Sequence, residues 1–100
     1  MSQTPLLQDP FRARLGGIIR QAETALSPDW QPRLLQFKEP ERIVERLQAI
    51  IKRCALLNSL LLFDIGMREF NELLRNEIDF VRGAELFLDE LGIVQMQSTG

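Results

Sequence analysis

The side chains of this sequence that could carry out chemistry are one cysteine, several carboxylates and a group of arginines. The chain contains no histidine and no tyrosine, so two common general acids and bases are missing. Cys54 is the only cysteine, with no histidine to activate it as a nucleophile and no second cysteine for an intrachain disulfide. We therefore expect Cys54 to be a small buried apolar residue and the protein not to be an enzyme.

Three carboxylates, those of Glu69, Glu72 and Asp79, have a helical spacing that could suggest a metal site. Metal sites in helical bundles usually combine glutamate with histidine in a Glu-x-x-His motif, which a chain without histidine cannot form. The sequence also has no glycine-rich phosphate loop and no nucleophile motif. We therefore expect no metal ion and no cofactor.

Arg42, Arg46 and Arg53 lie along one side of a predicted helix and could contact phosphate groups or an acidic protein. Residues 1–60 hold nine Lys and Arg against six Asp and Glu, whereas residues 61–100 hold three against eight. The net charge of −2 does not fit a strongly basic nucleic-acid-binding domain, and the chain lacks helix-turn-helix spacing. We therefore expect these arginines to form a solvated face or to bind an acidic helix, such as the acidic third helix or one of a partner, and nucleic acid is the alternative.

The elements that would position these side chains are all helices, since no segment alternates between apolar and polar residues as a strand does. Asp9-Pro10 and Glu39-Pro40 are favourable helix starts, and Gly92 is a favourable helix end. The predicted single domain consists of a tail over 1–8, helices over 10–26, 40–63 and 67–91, a proline-rich connector with a short helical turn over 27–39, and a tail over 92–100.

The second and third predicted helices are expected to form a long antiparallel hairpin that turns near Gly66, although Asn76 and Gly83 are alternative break points. A turn near Ile65 places Arg53 opposite Glu77, because both are equally far from it along the chain. Glu77 lies within the apolar sector of its helix and therefore needs a partner. We expect Arg53 and Glu77 to form a buried ion pair that sets the register of the hairpin, and the alternative is that they provide a polar contact for a partner.

The second predicted helix is apolar on two opposite sides. One side is a continuous seam made of Ile43, Leu47, Ile50, Cys54, Leu57 and Leu61, and the other is a strip made of Leu56, Leu60 and Phe63. The first helix is too short to cover both sides, so we expect a three-helix bundle completed by dimerisation. Its interface would contain Leu56, Leu60, Phe63, Phe80, Phe87, Leu91 and Trp30, although Trp30 could instead close the core as a lid.

These features favour a small helical protein–protein interaction module that acts as an adaptor, chaperone or inhibitor. The alternative is a structural subunit of a larger assembly, including a nucleoprotein assembly that the arginines contact. The N-terminus lacks the pattern of a signal peptide, and no apolar run reaches the about twenty residues of a membrane span. We therefore expect a cytoplasmic homodimer that binds a further protein, whose identity the sequence does not specify.

Overall fold

The computed structural model describes residues 8–62 and 65–92, and every regular element within these ranges is a helix. The all-α class predicted from the sequence is therefore confirmed. The helices are α1 (Gln8–Ala25), α2 (Gln31–Leu34), α3 (Pro40–Leu60) and α4 (Met67–Leu91), and a single 3-10 turn (Pro28–Trp30) precedes α2. The smallest dimension of the molecule is 18 Å, which corresponds to two layers of helices packed about 8–10 Å apart.

The long helices begin and end at residues suited to helix termini. Pro40 is in the first turn of α3, where its missing N–H costs nothing because that position has no intrahelical acceptor. Gly92 follows α4 with a φ of +83°, and its N–H donates to the carbonyls of Leu88 and Asp89. Glycine adopts this left-handed conformation without steric cost, so it closes the last turn.

The connection between α3 and α4 comprises residues 61–66. Gly66 is the residue directly before α4, whereas Asn76 and Gly83 both lie inside that helix. Of the three break points considered from the sequence, the structure therefore has the one at Gly66. The predicted second helix extended to residue 63, but α3 ends at Leu60, and Phe63 lies outside the described residues.

The core is built from one face of each helix. The seam of α3 is buried at Leu47, Ile50, Cys54 and Leu57, and Leu61 just beyond the helix is buried too. The other buried apolar residues are Phe11, Leu15, Ile18, Ala22 and Ala25 of α1, Trp30 and Leu34 around α2, and Phe70, Val81, Ala84 and Leu88 of α4. This single cluster joins all four helices.

The closest backbone packing in the described ranges is between α1 and α3, with a further contact between α1 and α4. Arg12 donates from Nε to Asn58 Oδ1 at 3.3 Å, and the rings of Phe11 and Phe70 meet edge to face with centroids 6.1 Å apart. Arg14 binds Glu85 at 2.6 Å. From the sequence we expected α3 to pack most closely on α4, with α1 across one side.

The difference follows from the size of the side chains at each contact. The buried face of α1 ends in Ala22 and Ala25, which allow a neighbouring backbone to approach closely. The contacts from α3 to α4 instead involve arginines, a glutamate and phenylalanine rings. These long side chains bridge the space between α3 and α4.

Candidate interaction surface

Arg53 of α3 contacts α4 through an ion pair with Glu77 and a cation–π contact with Phe80. It donates to Glu77 Oε1 from Nε at 3.0 Å and from Nη2 at 2.8 Å, and from Nη2 to Oε2 at 2.9 Å. Its guanidinium carbon is also 5.2 Å from the centre of the Phe80 ring. The Glu77 side chain is 16% exposed but that of Arg53 is 51% exposed. The pair therefore lies at the edge of the α3–α4 contact and is not fully buried as expected.

The arginines of α3 do not form one open stripe. The Arg46 guanidinium carbon is 4.2 Å from the centre of the Phe87 ring, within the range of a cation–π contact. Arg42 is 82% exposed and binds Glu39 at 3.2 Å, three residues earlier in the chain. Arg46 and Arg53 are thus both engaged with α4, and only Arg42 points away from it with a local partner.

The residues expected from the sequence to form an interface separate into two groups. Phe80, Phe87 and Leu91 are half-buried and pack against the core cluster. Arginines of α3 cover the two phenylalanine rings, because the face of an aromatic ring attracts a cation. These three residues are therefore less accessible than their place on the helix suggested.

Leu56 and Leu60 form the second group, and they remain open to solvent. Their exposed fractions are 60% and 44%, and they lie one turn apart on the same side of α3. We refer to these two residues as the leucine ridge. Isolated exposed leucines are ordinary, so the importance of the ridge depends on the surface around it.

Two hollows adjoin the leucine ridge. The first, between α3 and α4, has a volume of about 550 Å³ and is lined by Leu57, Leu73 and Arg53 together with Glu69, Glu72 and Glu77. We call it the acidic hollow. The second has a volume of about 660 Å³ and is lined by Ala49, Lys52, Arg53 and Phe80. We call it the basic hollow. Leu56 and Arg53 line both hollows, so Leu56 stands between two depressions that share one arginine.

Trp30, which we weighed as an interface anchor or a lid, is only 9% exposed. It belongs to the core cluster, and the Arg33 guanidinium carbon lies 5.0 Å from its ring centre. Little of the indole is left for a partner chain to contact. The structure therefore places Trp30 over the core rather than on the leucine ridge.

Four large apolar residues that are exposed within the described ranges were not singled out from the sequence: Leu35, Leu62, Met67 and Leu86. Leu86 lies on the otherwise charged side of α4 and lines a hollow of about 910 Å³ between α1 and α4. The sequence could have indicated the exposure of Leu86, because it lies on the same side of the helix as the charged residues Arg82, Glu85 and Asp89. The Arg14–Glu85 pair also lines this hollow, and its hydrogen bond raises the pKa of Arg14.

Cys54 is fully buried in the seam of α3. Burial raises its pKa to about 11, because the thiolate loses its hydration, and the thiol is therefore protonated at neutral pH. The negative charge of Glu85 raises this pKa further, and the positive charge of Arg53 partly opposes the shift. Within the described residues, no group of three or more potential ligands is arranged to hold a metal ion.

In comparisons with known proteins, no family model, curated protein or solved structure matches this chain. None of the helices in the described ranges is both long enough and apolar enough to cross a membrane. The comparisons therefore give no information on the role of the leucine ridge.

Proposed function

We propose that this protein is a small helical protein–protein interaction module that acts as an adaptor, chaperone or inhibitor without catalysing a reaction. In this proposal α3 and α4 form an antiparallel hairpin, α1 covers one side of it, and another chain covers the other side. The observation that carries the proposal is the exposed leucine ridge between two hollows. A second copy of the chain and a different protein are the two candidates for the covering chain.

Both the apolar side chains and the shape of this surface support its role as an interface. Burying an exposed leucine contributes about 1.5–3 kcal/mol, so covering the partly exposed Leu56 and Leu60 contributes roughly 2–3 kcal/mol. A ridge flanked by hollows also lets side chains of another helix interdigitate with it, which well-packed interfaces require. The polar rim formed by Lys52, Glu69 and Glu72 is typical of such interfaces.

The arginines favour this proposal over a phosphate-binding role. Arg53 is hydrogen-bonded to Glu77 and Arg46 is stacked on Phe87. Binding a phosphate through Arg53 would require its guanidinium group to leave Glu77. No observation therefore favours the nucleoprotein alternative specifically.

Site-specific photo-crosslinking in the cells that produce the protein tests whether the ridge is covered. A benzophenone amino acid is placed at position 56, and a matched control carries it at position 23, an exposed position on α1. We expect a crosslinked protein adduct from position 56, none from position 23, and loss of the adduct when Leu60→Glu is added. A folded protein that yields no adduct from position 56 would contradict the proposal.

A further inference from the structure

We infer that the partner of the leucine ridge is a basic amphipathic helix of another protein, which places apolar side chains on the ridge and lysine or arginine side chains beside Glu69 and Glu72. The inference rests on the proposed function, because it states the chemistry of the chain that covers the surface described there. It follows from the lining of the acidic hollow and from the charges that this lining leaves unpaired.

The acidic hollow has an apolar floor. Leu56, Leu57, Leu60 and Leu73 line it, and α3 has no charged residue from position 54 to its end at Leu60. The two leucines of the ridge are four residues apart in sequence, so they stand about 6 Å apart along α3. A partner helix with apolar side chains three or four residues apart matches this spacing.

The position of the hollow suits a helix better than an extended segment. It lies between α3 and α4, and the groove between two helices receives the side chains of a third by interdigitation. One common way for an extended segment to bind is to add a strand to the edge of a sheet, but the ranges 8–62 and 65–92 contain no strand.

The charge of the hollow is negative. Three glutamates and one arginine line it, which gives a formal charge of −2. Arg53 is occupied by its three hydrogen bonds to Glu77, so these two residues neutralise each other. Glu69 and Glu72 form no ion pair with another residue of the described ranges. Their two carboxylates are therefore available to a cationic side chain of the partner.

The neighbouring charges do not cancel these two carboxylates. Arg68 and Arg75 are four residues before and three residues after Glu72, but neither lines the hollow, and Lys52 lines the basic hollow on the other side of the ridge. Glu69 is in the first turn of α4, where the positive end of the helix dipole weakens its field. This effect falls off within that turn, and Glu72 lies beyond it.

Two labelled peptides test the charge of the partner. Each has about 14 residues and forms an amphipathic helix with leucines on one face. The other face carries only lysine in one peptide and only glutamate in the other. Fluorescence anisotropy with the purified full chain measures the two dissociation constants. We expect the leucine–lysine peptide to bind at least about tenfold more tightly than the leucine–glutamate peptide.

Variants of the full chain locate the binding. Glu69→Gln combined with Glu72→Gln should weaken binding of the leucine–lysine peptide by about five- to tenfold. Glu23→Gln combined with Glu41→Gln makes the same change in net charge at positions that do not line the hollow, and it should change the affinity by less than about twofold. Leu60→Ala should weaken binding by about three- to tenfold, because the ridge loses apolar surface. Circular dichroism of each variant shows whether it has folded.

Three results with the peptides would overturn the inference: equal binding of the two peptides, no binding of the leucine–lysine peptide up to about 1 mM, or equal effects of the hollow and control double variants. The photo-crosslinking at position 56 separates this failure from a failure of the proposed function, since mass spectrometry of the adduct identifies the crosslinked segment. A basic amphipathic segment of another protein supports the inference. Any other segment, or a second copy of the chain, overturns it but leaves the proposed function standing, and the absence of any adduct contradicts both.

Discussion

Arg53 makes the principal polar connection between α3 and α4, and replacing it with methionine tests how much that connection stabilises the fold. Arg53→Met removes three charge-assisted hydrogen bonds to Glu77 and the contact with the Phe80 ring. Hydrogen bonds to charged groups contribute about 1.5–3 kcal/mol when buried, but Arg53 is half exposed and solvent weakens the pair. About 1–1.5 kcal/mol remains, and the ring contact adds about 0.5 kcal/mol.

We therefore expect Arg53→Met to lower the free energy of unfolding by about 1.5–2 kcal/mol. The cost includes leaving the largely buried Glu77 carboxylate without its partner. Urea denaturation measures this loss of stability. The signal is the fluorescence of Trp30, which is the only tryptophan in the chain and is buried. With a denaturant slope of about 1.5 kcal/mol per molar urea, the midpoint should fall by about 1 M. Fixed protein concentration is essential, because dimerisation would raise the apparent stability.

A double-mutant cycle with Glu77→Gln separates the ion pair from the other contacts of Arg53. We expect a coupling energy of about 1 kcal/mol between the two positions. The matched control is Arg42→Met, which removes an exposed local ion pair and should change stability by less than about 0.5 kcal/mol. Equal effects of Arg53→Met and Arg42→Met, or a coupling energy near zero, would refute the assignment of the Arg53–Glu77 pair as a structural connection.

Three further predictions concern the core, the end of α4 and the buried thiol. Leu15→Ala should cost about 2–5 kcal/mol because Leu15 is fully buried, whereas Leu35→Ala at an exposed site should change the urea midpoint little. Gly92→Ala should lower the melting temperature because of its positive φ, while Gly83→Ala, where an added Cβ meets nothing within 4 Å, should raise it. The pKa of Cys54 is raised from 9.0 to about 11 by folding, so its contribution to stability is complete below pH 9 and is lost as the pH rises through about 11. The loss should be roughly 2–3 kcal/mol, and urea midpoints across this pH range should show it in the wild type but not in Cys54→Ala.

The sequence indicates the fold class and the helix ends because these depend on local patterns. Pro40 and Gly92 mark helix termini whatever surrounds them, and the structure has α3 start at Pro40 and α4 end directly before Gly92. The relative distances between helices depend instead on side chains that meet only in three dimensions. The sequence does not show that the helix closest to α3 is α1, whose buried face includes the small residues Ala22 and Ala25, and not α4.

The sequence likewise predicts only part of the candidate interaction surface. The apolar strip of α3 is visible in the periodicity of the sequence, and the structure leaves Leu56 and Leu60 exposed. The covering of Phe80 and Phe87 by arginines was not visible, because it depends on the rotation of α3 and α4 about their axes and on the rotamers of long side chains. Acidic and basic hollows on opposite sides of Leu56 are a consequence of the same rotation.

Side-chain contacts within the chain bridge α3 and α4 beside the leucine ridge. Arg53 and Glu77 bridge the helices at one height, and Arg46 with Phe87 bridges them at another. The spacing is therefore set by contacts within one chain and does not depend on the arrival of a partner. A surface that is preformed in this way would lose less conformational freedom on binding the proposed partner than one that must first open. Under the proposed function, shortening these bridging side chains should therefore reduce the crosslinked adduct from position 56 as well as the free energy of unfolding.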